Sequence, residues 1–388
     1  MKNGDLPPLA VNTRRLSAFV MLFVLLVPLG LPTAVAWQED GWLTQEVVGG
    51  ERLELGDEFG CHGIPGVNTL DNLKEVVGEC KEYLTDRIDA SKWGSNPLSF
   101  GLPSEEISDA HGLELFESGF RVVGDQIEGD PNYVNKVERN GGSLEKNVAD
   151  EDLIQSVASH GGLVSMYWEA RIEDLNVRRD KDVVEWIEDQ SVWYTTWGEY
   201  HSYLNGGELN TTDSDGNLEI SISSGLGYWP VPLTLRIDLG NVSIQKIIDE
   251  NGMELELMGS EEGHLRSGWR VENSYLIISV SPDLVTTIYT EGETDWSDVT
   301  IIENQPLFNN HTWAIAVAGH HTTDLFEWSE PFQYSSLRFT WLVEPKADIE
   351  PSWILPMVAI VIILVAPTAI WWTLKKDREM QNYSDDEE

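Results

Sequence analysis

The residues best suited to chemistry in this 388-residue sequence are few and widely spaced. His62 closes the run Glu58-Phe59-Gly60-Cys61-His62, which reads as a short strand ending in a turn. Glu169 closes a second apolar run, Leu163 to Trp168. A histidine and a carboxylate at strand ends can bind a divalent metal such as zinc, or move protons between them. None of the eight histidines has H-x-x-x-H or H-E-x-x-H spacing. His320 and His321 are adjacent and would face opposite sides of a strand, and His201 beside Glu199 reads as a surface residue. No nucleophile elbow or Gly-rich phosphate loop is present. Among 16 tryptophans, Trp168 and Trp197 could stack on sugar rings, or they could simply be core.

The elements that must position these groups begin with the stretch from Gly56 to Gly124. After the His62 turn, Leu73, Val76, Val77, Cys80, Leu84 and Ile88 are spaced to bury one helix face. A strand at 98–100 follows, then the Leu102-Pro103-Ser104 loop, a helix over 105–117 and a strand at 120–123. Further units continue to Asn205, with a strand at 163–168, a helix at 182–189 and a last helix at 197–204. Strands alternating with crossover helices imply a parallel sheet, with chemistry at the strands' carboxyl ends. The segment from Trp37 to Leu55 offers only a possible strand. After Gly207 the pattern becomes alternating, with short runs at 218–222, 233–239, 243–248, 253–257, 268–271 and 276–280. Turn residues separate these runs, as expected of an antiparallel sandwich. Asp213 to Asn217 resembles the start of a calcium loop, but Ser224 stands at position twelve, and a hairpin turn is the better reading.

The two ends give an address. Arg14 and Arg15 precede an apolar run, and Ala34-Val35-Ala36 would suit a signal peptidase, so residues 1–36 read as a signal peptide. Residues 353–374 carry no charge, enough to cross a bilayer ~30 Å thick, with Lys375 and Lys376 behind them. The expected order is an α/β domain over 45–206, a β-sandwich over 214–290 and a juxtamembrane β region over 291–350. A transmembrane helix over 351–374 and a cytoplasmic tail over 375–388 complete it. The large part is then held outside the cell by a single span. Between Trp37 and Glu350 lie 59 of the 66 acids but only 19 of the 25 Lys and Arg, which makes nucleic acid a poor partner. Asn210, Asn241 and Asn310 each begin a glycosylation sequon on this outer part. The two cysteines, Cys61 and Cys80, would be in an oxidising compartment that favours a bond. A helix returning directly from the strand end would instead set Cys80 roughly 15 Å away along its axis, so both states remain open.

The stretches Glu58 to His62, Leu98 to Val123 and Val192 to Tyr200 resemble the polysaccharide deacetylase (NodB-type) family. That resemblance implies a distorted (β/α) barrel, here partial, with His62 as the first metal histidine. The family's second metal histidine would fall at Gly66, its loop arginine near Gly101, and its late histidine is replaced by Trp168-Glu169. Its metal and base aspartates belong to an earlier strand, for which only about twenty residues are available. The resemblance therefore implies a degenerate domain that binds carbohydrate or envelope material without catalysis. The alternative is a divergent, metal-dependent carbohydrate deacetylase using His62 and Glu169, with Trp168 and Trp197 against the ligand in either case. A barrel short of its first strands would leave an open edge for the sandwich or another chain to cover.

Overall fold

The computed structural model describes residues 42–385, apart from 65–66, 103–105, 170–178, 293, 295, 297–300, 303–304, 321–329 and 346–353. The signal segment and the loop residues Pro103 and Ser104 lie outside the described residues. The chain divides into a unit ending at Pro345 and a second beginning at Lys346.

The first unit starts with a helix, α1 (Trp42–Leu55), where the sequence suggested a strand. Tertiary contacts override the weak local preference of a segment containing Gly49-Gly50. Arg52, in the last turn of α1, pairs with buried Asp57 and lies over the ring of Phe339, 5.7 Å from its centroid. Asp57 also accepts from Trp341 Nε1 at 2.7 Å, which fixes the helix to a distant strand.

The parallel part then follows the predicted alternation. It contains β1 (Glu58–Cys61), α2 (Leu73–Thr85), β2 (Ser99–Leu102), α3 (Asp109–Glu117), β3 (Val122–Asp125) and the short β4 (Asn135–Lys136). After these come α4 (Glu151–Ala158), β5 (Gly162–Glu169), α5 (Lys181–Glu188), β6 (Trp193–Tyr194) and α6 (Trp197–Leu204). Two strands from far along the chain, β15 (Trp313–His320) and β16 (Phe339–Val343), complete the sheet. Its order is β4-β3-β2-β1-β16-β15-β5, with β6 also on β15.

Those last two strands correct the expected domain boundaries. They do not extend the sandwich or form a juxtamembrane module. They sit at the centre of the parallel sheet, between β1 and β5. The sheet curls into an incomplete barrel, and residues 141–144 span the gap. Gly141 N donates to Ser165 O at 3.0 Å and Leu144 N to Tyr167 O at 2.9 Å. The Asn140 side chain extends this ladder, bonding Leu163 O and Ser165 N.

The sandwich is an insertion between α6 and β15. One sheet is β10 (Ile244–Asp249), β13 (Val285–Thr290), β8 (Asn217–Ile222) and β7 (Leu209–Ser214). The other is β11 (Gly268–Glu272), β12 (Tyr275–Val280), β9 (Leu233–Asp238) and β14 (Ile301–Ile302). Leu218, Ile220 and Ile222 from one sheet share a core with Leu235, Ile237 and Ile278 from the other. Residues 253–257, expected as a strand, make only isolated bridges. Asp215 and Gly216 both have positive φ, 54° and 78°, and turn the β7–β8 hairpin.

The second unit is one helix, α7 (Ile354–Asp385). Its segment Met357–Lys376 is long and apolar enough to cross a membrane, with a mean hydropathy of 2.3. Lys375 and Lys376 lie over the rings of Trp371 and Trp372.

Candidate functional site at the carboxyl end of the barrel

His62 directly follows β1, and its backbone N–H donates to Val343 O at 3.0 Å. Room for the imidazole comes from Gly101, where an added Cβ would stand 2.8 Å from the ring. The ring bridges two carboxylates. Nε2 is 3.0 Å from Asp125 Oδ2, and Nδ1 is 2.9 Å from Glu344 Oε1. A ring nitrogen meets an ionised carboxylate only by donating. The bridge is therefore satisfied by an imidazolium, or by a neutral ring beside one protonated acid.

Asp125 ends β3 at φ 82°, a left-handed conformation that aspartate tolerates and that breaks the strand there. Its other oxygen pairs with Arg139, whose guanidinium lies 4.0 Å from the centre of the Tyr167 ring. Glu344, the residue after β16, is more open than His62, Asp125 or Arg139, with 21% of its side chain exposed. The Tyr167 ring, Arg139, Asp125, His62 and Glu344 thus form a continuous chain of contacts across the strand ends.

His62 stands out in the sequence, whereas its partners Asp125 and Glu344 were not among the expected site residues. The signal was present, because Asp125 and Glu344 each follow an apolar strand run immediately. Glu169 ends β5 in register with His320, and the side chains of both lie outside the described residues.

The metal role expected for His62 is not matched by its described neighbours. Among the described residues no group of three His, Cys, Asp or Glu side chains is placed to hold a metal ion. Asp125 and Glu344 meet opposite edges of the ring and so cannot share one ion with one nitrogen.

The two tryptophans proposed as ligand-stacking residues are core. Trp197 is fully buried inside the barrel with Val122, Ala316, Ala318 and Leu342. Its Nε1 donates to Ser165 Oγ at 3.0 Å, and an added Cβ on Gly124 would come 2.5 Å from its ring. Trp168, on the opposite face of β5 from Tyr167, is 1% exposed and meets Phe332 edge-on at 5.3 Å. It contributes a wall to an open cavity of about 980 Å³ that Lys146, Arg179 and Tyr334 also line. His201 is also buried rather than on the surface, and desolvation lowers its pKa to about 4.

Cys61 and Cys80 are bonded, with Cα atoms 6.0 Å apart. The chain between β1 and α2 runs past the strand end before turning back. It is the middle of α2, not its start, that lies beside Cys61, which removes the expected conflict. The bond is made by the residue directly before His62.

At the start of β1 a second carboxyl group is enclosed. Glu58 is fully buried and accepts from Ser99 Oγ at 2.6 Å, Thr196 Oγ1 at 2.8 Å and Gly198 N at 2.8 Å. Burial outweighs these bonds and pushes its pKa up to about 7. Glu199 is raised by the same cause, while accepting from Trp93 Nε1 and Thr195 Oγ1. Together they tie the first turn of α6 to β1 and to the 91–94 turn.

Comparison of the chain with family models, with curated proteins and with solved structures found no match.

Proposed function

We propose that this chain is a membrane-tethered surface protein whose barrel binds a neutral, hydroxyl-rich ligand, such as a glycan of the envelope, without turning it over. The observation that carries this reading is the bridged imidazole. Both nitrogens of His62 are engaged by carboxylates, so in this arrangement the ring offers neither a lone pair nor a proton to a substrate. Donors and acceptors alternate from Arg139 to Glu344, and opposite charges offset one another. That pattern suits hydroxyl groups better than a charged ligand. The carboxyl end of a parallel barrel is also where loops vary around a rigid frame. Order around the sheet agrees with the (β/α) barrel that the deacetylase resemblance implies, and the outward placement rests on the apolar helix Met357–Lys376 followed by a basic pair.

A deacetylase is the second reading, and one feature favours it. Glu344 is partly exposed, and its withdrawal would leave an Asp125–His62 pair resembling an oriented base. The test uses detergent-solubilised full-length chain and N-acetylchitooligosaccharides, with calorimetry for binding and acetate release for turnover. Binding without acetate, lost in Asp125→Asn and His62→Ala, is the expected result. Acetate release that depends on His62 would replace it with the second reading. Absence of both would remove this glycan class.

A further inference from the structure

We infer that the inserted sandwich, and not the barrel, is the N-glycosylated part of the chain, with glycans on Asn210, Asn241 and Asn310. The inference rests on the outward placement proposed above. All nine asparagines between residues 37 and 205 lie outside sequons, and residues 313–350 contain none. Three of the eight between residues 206 and 312 begin one. Each of those three is exposed.

Their local settings suit transfer. Asn241 lies in the turn between β9 and β10, where Val242 N bonds Leu239 O at 2.8 Å. Asn310 has a left-handed φ of 62° at the end of the short turn Phe308–Asn310 that leads into β15. Asn210 is on β7, the outer strand of its sheet, and the hydroxyl residues Thr212 and Thr312 are exposed. None of the three side-chain amides hydrogen-bonds to another described group, whereas Asn140 and Asn309 spend theirs on backbone partners. A glycan there would displace no internal bond.

The donor is a polyprenyl-phosphate-linked oligosaccharide. The amide nitrogen forms a bond to the sugar C1 as the C1–O bond to the lipid phosphate breaks. The amide loses one proton and the lipid phosphate leaves. On Asn210 the product would stand beside the unpaired edge of β7, where it would block strand addition by another chain.

The test expresses the full-length chain in cells with an oligosaccharide transferase on their export route. Glycosidase-sensitive mass and digestion by external protease are read on the same cells. The expected result is a protease-accessible chain with three removable mass steps, one lost in each of N210Q, N241Q and N310Q. T212A, S243A and T312A repeat the loss while keeping each asparagine. An accessible chain at its bare polypeptide mass overturns the inference and leaves the outward placement standing. A chain shielded from external protease overturns the placement itself, and the inference with it.

Discussion

His62, Asp125 and Arg139 show how buried charge is arranged here. Asp125 has 1% of its side chain exposed and holds Arg139 on one oxygen and His62 Nε2 on the other. Replacing it with alanine takes the carboxylate out of the buried Arg139 pair and the His62 bridge, and breaking a buried pair in this way costs about 3–5 kcal/mol. Denaturant midpoints of wild type and Asp125→Ala measure this directly. A loss below ~1 kcal/mol would mean that solvent screens the cluster as it does a surface pair. Glu58 makes a different prediction, because its carboxyl is raised from 4.5 to about 7 in the folded chain. Between those values the folded state holds a proton that the unfolded state has lost. Stability from this group is therefore full below pH 4.5 and is lost as the pH rises through about 7, on the order of 3 kcal/mol in all. His201 and His264, each lowered to about 4 by burial, act in the opposite sense, losing stability as the pH falls from 6.5. The informative quantity is thus the difference between Glu58→Gln and wild type across pH 4–8. The variant should gain on wild type as pH rises from 4.5 to 7, and parallel curves would refute the buried-acid assignment.

At the level of elements, the helix α6 explains why Trp197 was misread. Its first residue points into the barrel, where Gly124 and the small side chains of Ala316 and Ala318 leave space for an indole. Nothing in the local pattern Val192 to Tyr200 distinguishes a plug from a ligand platform, since that depends on residues 70 and 120 positions away. Trp197→Ala should cost about 3–5 kcal/mol through the cavity it leaves, with a lower thermal midpoint and an unchanged far-ultraviolet spectrum. An effect within ~0.5 kcal/mol would place the ring at the surface after all. The same distinction between local and distant information runs through the rest of the reading. The α2 face, from Leu73 to Leu84, was legible because five apolar residues at helical spacing are a local fact. The β8, β9 and β12 runs were legible for the same reason. The helix α1 was not, because contacts from Arg52 to Asp57, Phe332 and Phe339, all distant or outside the helix, hold a segment with little preference of its own. Likewise His62 was visible as a histidine at a strand end. The place of Glu344 after an apolar strand run is equally local, but its bridge to His62 spans 282 residues, and that pairing is not.

On the scale of the whole molecule, the chain closes on itself. The first barrel strand, β1, pairs with the last, β16, residue for residue from Glu58–Thr340 to Cys61–Val343. The barrel therefore cannot be completed until nearly all of the unit ending at Pro345 has been made, and the sandwich between α6 and β15 must fold or wait within that closure. Such non-local pairing forms only after the loop-closure entropy of the intervening chain has been overcome. It also means that a boundary drawn at Asn205 cuts through a domain. A fragment of residues 37–206 would expose the full pairing edges of β1 and β5, lose the two β16 donors to Asp57, Phe339 N and Trp341 Nε1, together with the Glu344 partner of His62, and uncover Trp197. We expect that fragment to show no cooperative thermal transition and to aggregate through those edges. A chain of residues 37–345 should unfold in a single cooperative step, because it retains β15 and β16. Replacing the sandwich in that longer chain by a short Gly/Ser linker tests the same point from the other side. If the 37–206 fragment unfolds cooperatively on its own, the last two strands are dispensable additions rather than the centre of the sheet.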